Sequence, residues 1–276
     1  MYPFYVVNAF SQVAFKGNPA GVCVVDQMPS ARWMQSVAAE MGFSETAFVA
    51  PTNHHFHIRW FSPKVEVNLC GHATLAAAHV LWESGHVTDE AIHFTYAGGL
   101  LRAQRFYDVI EIAFPEDVPR TCHRVSLTQG ALSPSGSEVD PVGYLGLTDV
   151  RHVLRSREDL ILVLSSEAQV RDWCPDMALV AALDVRAVVV TALSESQQYD
   201  IVSRVFAPRI GIPEDPVTGS AHCALVGYWL PMLQKPKITC FQASARGGIV
   251  QGRLGEHMVR IGGHAVTLKR GHWLSC

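Results

Sequence analysis

Glu45 is the residue of this sequence with the clearest capacity to carry a proton, and it lies in the segment Gly42–Val49. If that segment is a strand, its alternation puts Glu45 on one face with Phe43, Ala47 and Val49. Apolar neighbours would keep water away, and desolvation raises the pKa of a carboxyl group toward the range useful for acid/base work. The alternative is a structural carboxylate that reaches solvent or a basic partner.

Two glycines, Gly71 and Gly219, each open a run of almost entirely apolar residues, which predicts two helices buried nearly all round. The first turn of a helix has unpaired N–H groups and a partial positive charge, which together bind anions. Glycine also lets a ligand approach the backbone closely. The pattern favours a site for a small carboxylate, and the alternative is ordinary capping of two core helices.

Polar residues surround both predicted helix starts. His72 follows Gly71, where the helix dipole lowers the pKa of the imidazole, so a neutral His72 could hydrogen-bond a substrate or Asp215. Cys70 could be an activated thiol, although a buried cysteine is more often a small core residue. Asp215 lies in a loop stiffened by two prolines, and it could simply be a favourable charge near the second helix.

These residues need strands and helices to position them, and the patterning predicts several. A first helix begins after Ser30 as its N-cap and ends at Gly42. Further elements are strands at 20–25, 55–60, 111–114, 160–164 and 187–191, a helix opened by Asp176, a loop at 132–137, and short strands from residue 238 onward.

An internal repeat links the two halves of the sequence. The segment Arg59–Pro63 is echoed by Arg204–Pro208, and Gly71–Ala76 is echoed by Gly219–Ala224. The shared order favours a duplicated domain over a chance likeness between two glycine- and alanine-rich helices. We expect an interdomain linker at Phe114–Pro119, where two prolines and two acids follow a strand.

The expected domains are therefore residues 1–116 and 117–276, with the two helix starts facing one another across a cleft. The last strand, near 264–269, could complete the second domain or return to the first.

Composition excludes several classes of protein. Of the 276 residues, 49% are hydrophobic and 17% are charged, which excludes a disordered chain. The formal net charge of −3 predicts no nucleic-acid partner. Seven irregularly spaced cysteines without a CxxC pair predict neither a disulfide framework nor a zinc ribbon. No signal peptide or membrane-spanning segment is apparent, so we expect a cytoplasmic protein without a membrane partner.

Five motifs together resemble the PhzF family, the phenazine-biosynthesis-like isomerases with the diaminopimelate-epimerase fold. In chain order they are Gly17–Val22, Ser44–Phe48, Arg59–Pro63, Cys70–Thr74 and Glu214–Ala221. Each motif is weak alone, but their joint occurrence in family order through both halves is specific.

The resemblance implies an α+β fold of two pseudo-symmetric domains, each a curved, mostly antiparallel sheet around a central helix. It also implies a homodimer that needs no cofactor or metal, and a small carboxylate substrate; a known member isomerises trans-2,3-dihydro-3-hydroxyanthranilate. Carried over by position, Glu45 would be the acid/base, and His72, Asp215 and Ser220 would orient the substrate and assist proton movement. The implied substrate-binding residues are Asn18, Ser44, Cys70, Gly71 and Gly219.

Racemases related by this fold use two cysteines, one at each helix start. Cys70 matches the first position, but the repeat places Thr218 at the second, and a hydroxyl cannot replace a thiolate as a base at neutral pH. A shuttle through the single carboxylate of Glu45 is therefore favoured. Two alternatives stay open: an amino-acid racemase or epimerase that uses Cys70, and a non-catalytic metabolite-binding protein of the same fold.

Overall fold

The computed structural model of the protein describes residues 1–128 and 137–274, so most of the loop expected at 132–137 lies outside the described residues. The chain divides into two compact units. Unit 1 contains Met1–Pro115, Gly248–Val250 and Arg260–Cys276, and unit 2 contains Glu116–Gly247 and Gln251–Val259.

The described residues form strands and helices that are numbered here along the whole chain. The strands are β1 Tyr2–Ala9, β2 Asn18–Val24, β3 Thr46–Pro51, β4 Phe56–Phe61, β5 Glu66–Val67, β6 Ala91–Tyr96, β7 Gly99–Phe106, β8 Val109–Pro115, β9 Arg120–Thr121, β10 Val125–Ser126, β11 Glu138–Val139, β12 Val150–Arg155, β13 Leu160–Leu164, β14 Val188–Leu193, β15 Ile201–Phe206, β16 Ile238–Gln242, β17 Gly248–Leu254, β18 Met258–Gly263 and β19 Ala265–Trp273. The α-helices are α1 Ala31–Met41, α2 Gly71–Glu83, α3 Pro141–Tyr144, α4 Glu167–Asp172, α5 Met177–Ala182 and α6 Gly219–Leu233.

Unit 1 is a mixed sheet with α2 on one face. Strand β1 is antiparallel to both β2 and β19, while β2 and β3 run parallel. Strands β3 and β4 are antiparallel, and so are β6, β7 and β8 in turn. Helix α2 packs against β1, β2, β3, β8 and β19, and nearly all its side chains from His72 to Trp82 are buried. A helix with so few polar residues is stable only where protein surrounds it.

The opposite face of this sheet is covered by α1, whose ends were predicted correctly. The Ser30 hydroxyl accepts a hydrogen bond from the Trp33 N–H, and Gly42 adopts the left-handed conformation with φ of 67°. Both signals are local, because an N-cap needs one side-chain oxygen and a left-handed C-cap needs a residue without Cβ. Helix α1 buries Met34, Val37 and Ala38 against the sheet.

Unit 2 also combines a mixed sheet with a long apolar helix, α6. Strands β12 and β13 are antiparallel, β13 and β14 parallel, β14 and β15 antiparallel, and β15 and β16 parallel. Helix α6 is buried from Ala221 to Gly227 and again at Trp229. It lies so close to β17 that a Cβ on Gly252 would be 2.1 Å from the Val226 side chain. Trp229 anchors α6 by donating from its indole N–H to the Thr191 hydroxyl at 3.1 Å.

Each unit contains the same ion pair before its buried helix. In unit 1 the Arg59 guanidinium donates twice to the Glu66 carboxylate, both at 2.7 Å. In unit 2 Arg204 donates to both oxygens of Glu214, at 2.8 and 3.2 Å. The sequence repeat therefore extends to bidentate contacts that tie each loop to its strand.

The structure confirms the α+β fold class, with mostly antiparallel sheets and few helices. The two units divide after Pro115, one residue before the predicted boundary after residue 116, and Gly248–Val250 and Arg260–Cys276 return to unit 1. Strand β19 pairs along its length with β1 and therefore belongs to unit 1. No helix among the described residues is long and apolar enough to cross a bilayer.

Candidate functional site

Glu45 lies immediately before β3, not inside a strand as the sequence suggested. Its backbone carbonyl accepts from the Gly21 N–H at 3.3 Å, so the sheet still holds its main chain. Phe43 packs with the apolar cluster beneath α1 and does not share an apolar strand face with Glu45. The prediction that Phe43 shares a strand face with Glu45 is therefore wrong, because the segment bends before the strand begins.

Despite this, the Glu45 side chain is largely buried, with 16% of its surface exposed, and it lies beside His72. Its Oε2 is 3.5 Å from the His72 Nε2, and the Ser44 hydroxyl is 3.4 Å from that same nitrogen. The second nitrogen of the imidazole, Nδ1, is 3.4 Å from the Cys70 Sγ. Unit 1 thus brings Ser44, Glu45, Cys70 and His72 together, although they come from two separate motifs.

The start of α2 positions His72 and Cys70. Cys70 is the N-cap residue, and its side chain makes no capping bond to the helix. Thr74 instead locks the first turn, because its hydroxyl donates to the Cys70 carbonyl at 2.6 Å. Asn18 is fully buried at the first position of β2, where it pairs with Ala9.

Glu45, Cys70 and His72 also have ligand atoms within 4.8 Å of one another, an arrangement worth testing as a metal centre. The imidazole contacts Cys70 through Nδ1 and Glu45 through Nε2, and the thiol and the carboxylate also lie within 4.8 Å of each other. A carboxylate, a thiolate and an imidazole are ligand types that Zn²⁺ accepts. The two contacts of the imidazole, at 3.4 and 3.5 Å, have the lengths of hydrogen bonds and ion pairs.

In unit 2 the loop before α6 is held by polar bonds that involve Asp215. The Thr218 hydroxyl donates to the Asp215 carboxylate at 2.5 Å. Gln242 is fully buried on β16, and its amide joins both ends of the loop. It accepts from the Thr218 N–H at 2.8 Å and donates to the Asp215 carbonyl at 2.7 Å. Asp215 is therefore fixed in place and is not merely a loose charge near a helix.

Ser220, in the first turn of α6, accepts a hydrogen bond from Arg186 at 2.8 Å. Arg186 is itself clamped by Asp159, which is 2% exposed and accepts from the guanidinium with both carboxylate oxygens. Burial alone would lower the pKa of Arg186, but the bonds and charge of Asp159 outweigh it and hold that pKa above its usual value. A permanently charged donor therefore sets the orientation of the Ser220 hydroxyl.

Neither Arg186 nor Gln242 was identified from the sequence. Arg186 precedes β14 and Asp159 precedes β13. No local sequence pattern links either residue to Ser220, which lies more than thirty positions later in the chain. Gln242 could have been noticed as a polar residue at an inward position of an otherwise apolar strand.

His222 lies in the same first turns of α6 and is fully buried. Its Nδ1–H donates to the Thr218 carbonyl at 2.7 Å, and its Nε2 is 3.4 Å from the Ser203 hydroxyl. Desolvation lowers the pKa of His222 to about 4. The neutral ring thus locks the first turn of α6, as Thr74 does in α2.

We expect the stability of the protein to fall as the pH drops from about 6.5 toward 4 because of His222. The unfolded chain binds a proton at His222 near the ordinary pKa of ~6.5, while the folded chain resists it down to about 4, so acid favours unfolding. Between pH 6.5 and pH 4 this difference lowers the free energy of unfolding by on the order of 3 kcal/mol. Urea unfolding at pH 5 and pH 8 measures this dependence.

His222→Gln is the comparison for this experiment. It should be less stable than wild type at pH 8, but its own loss between pH 8 and pH 5 should be smaller. Equal pH dependence in the two proteins would assign the effect to other groups.

The chain matches the family model described as phenazine biosynthesis-like protein, over residues 7–271. It is 42% identical to an uncharacterized isomerase from Halalkalibacterium halodurans, covering 99% of this chain and 98% of the relative. An uncharacterized isomerase from Pseudomonas aeruginosa is 45% identical, with 97% of each chain covered.

Solved structures agree with these relatives. A PhzF-family protein from Enterococcus faecalis superposes with a TM-score of 0.88 at 37% identity, covering 99% of both chains. A predicted epimerase from Pseudomonas aeruginosa, 18% identical with a TM-score of 0.71 and complete coverage, shares the fold. The family model, the relatives and the structures cover nearly the whole chain. The protein therefore belongs to the PhzC/PhzF family of phenazine biosynthesis-like proteins.

Proposed function

We propose that this isomerase moves a proton between two carbons of a small carboxylate substrate, with Glu45 as the acid/base and without a cofactor. The observation that carries the proposal is the placement of the Glu45 carboxylate, largely buried and 3.5 Å from the His72 Nε2. A carboxylate takes a proton from carbon most readily where water does not compete for it, and an adjacent imidazole can stabilise either charge state.

Asp215 and Ser220 are the residues we propose for holding the substrate. Asp215 and Ser220 are each fixed by their own partners, Thr218 and Arg186, so they can face a ligand without reorganising. The N–H groups at the starts of α2 and α6, near Gly71 and Gly219, suit the carboxylate of the substrate.

A racemase mechanism with two thiols is disfavoured. Thr218 is the N-cap of α6 where a second cysteine would be needed. The nearest thiol on that helix, Cys223, is buried, and its burial raises its pKa to about 12. A thiol that stays protonated at neutral pH cannot act as the second base.

The test is isotope exchange in D2O with a panel of small carboxylates, including trans-2,3-dihydro-3-hydroxyanthranilate and amino-acid-like acids. We expect enzyme-dependent incorporation of deuterium at carbon for at least one class of substrate. NMR and mass spectrometry would detect it. Tight binding of a panel member without exchange or turnover would instead support the non-catalytic binding protein.

A further inference from the structure

Cys70 has no role in the proposal above, yet its thiol is in direct contact with the imidazole that supports Glu45. The Cys70 Sγ lies 3.4 Å from the His72 Nδ1, and the His72 Nε2 lies 3.5 Å from the Glu45 carboxylate. Cys70 is 8% exposed, and the His72 side chain is 7% exposed. The three groups form a chain in which His72 is the middle member.

The positions of the protons in this chain follow from the nature of its ends. An ionised Glu45 carboxylate only accepts hydrogen bonds, so the His72 Nε2 must carry a proton to bond with it, and the Ser44 hydroxyl 3.4 Å away then accepts from the same N–H. In a neutral imidazole the other nitrogen, Nδ1, is then an acceptor, and the Cys70 thiol donates to it. The opposite tautomer would have Ser44 donate to Nε2 and the Nδ1–H directed at sulfur, which is a weak acceptor. A thiolate beside an imidazolium would create two charges in a largely buried place.

We propose that Cys70 is a positioning residue whose S–H···Nδ1 bond holds His72 in the Nε2–H tautomer, directed at the Glu45 carboxylate. This inference rests on the proposed role of Glu45 as the acid/base. It assigns Cys70 a different task from the racemase alternative, in which the thiol itself would take the proton from substrate. The thiol proton stays on sulfur, and only the carboxylate of Glu45 exchanges protons with carbon.

The first test needs no substrate. In protein labelled with 15N-histidine, with the His72 signals assigned through His72→Gln, we expect the Nε2–H tautomer in wild type. Cys70→Ala should produce a substantial fraction of the Nδ1–H tautomer, because the thiol that donates to Nδ1 is removed. Cys70→Ser keeps a donor and should restore the wild-type pattern. Cys23→Ala removes a buried thiol that packs beneath α1 in the same unit, and it should leave the tautomer unchanged.

Two results would overturn the inference: an unchanged tautomer in Cys70→Ala, or an imidazolium signal for His72 in wild type at neutral pH. Rapid alkylation of Cys70 by iodoacetamide at pH 7 would likewise show a thiolate where we place a thiol.

Kinetics on a substrate found by isotope exchange give the second test. Cys70→Ala should lower kcat on the order of 10- to 100-fold with little change in KM, and Cys70→Ser should recover most of that loss. Equal loss in the alanine and serine variants would make Cys70 the base and overturn the inference. The NMR result stands independently, so failure of Glu45 as the acid/base is distinguishable from failure of the role of Cys70.

Discussion

Replacing Glu45 with glutamine is expected to reduce deuterium incorporation and turnover by ~10²–10⁴-fold. Glutamine keeps the shape and can still hydrogen-bond His72, but it cannot take a proton from carbon at neutral pH. The loss should therefore appear in kcat, while KM changes little, because the substrate is held mainly by other groups. Isotope exchange and steady-state rates in the same buffer measure both quantities.

The matched control for this experiment is Glu40→Gln, which removes an exposed carboxylate on α1 in the same unit. It should keep the wild-type rate and the wild-type melting temperature. Full activity in Glu45→Gln would exclude Glu45 as the acid/base, and circular dichroism of the variant would exclude misfolding as the reason for a loss.

The largest effect on stability is expected at Asp159, in unit 2. Asp159→Ala would leave the Arg186 guanidinium in a largely enclosed place without its bidentate partner. Breaking a fully buried ion pair from one side costs about 3–5 kcal/mol. We expect the lower end of that range, because the Arg186 side chain is 26% exposed and keeps a second carboxylate, Glu158, at 3.3 Å. Urea unfolding should show this as a lower midpoint with an unchanged slope.

The comparison for Asp159 is the exposed ion pair of Asp184 with Arg209 in the same unit, whose side chains are 55% and 41% exposed. Asp184→Ala should cost only about 0–1 kcal/mol, because solvent screens exposed pairs. Similar losses in the two variants would mean that the Asp159 carboxylate contributes no more than a surface charge.

Local chemistry explains why much of the fold was predictable. The ends of α1 depend on Ser30 and Gly42, which act through atoms a few residues away. The two buried helices were predictable because a helix with apolar residues on every side is stable only when protein surrounds it. The segment around Glu45 was less predictable. Its alternation suggested a strand from Phe43 onward, whereas β3 begins at Thr46 and Phe43 turns toward α1.

By itself, the sequence determined the fold class, the two buried helix starts and the family, because these depend on periodicity and on motifs with fixed spacing. Tertiary structure alone decided which side chains meet. Glu45 and His72 are 27 positions apart, and Arg186 reaches Ser220 across 34 positions, so no local pattern records either contact. The contact between Cys70 and His72 joins near neighbours, but the role proposed for it depends on Glu45, which lies beside the other nitrogen of the ring. Chain topology brings such groups together, and only their distances and burial give them a chemical role.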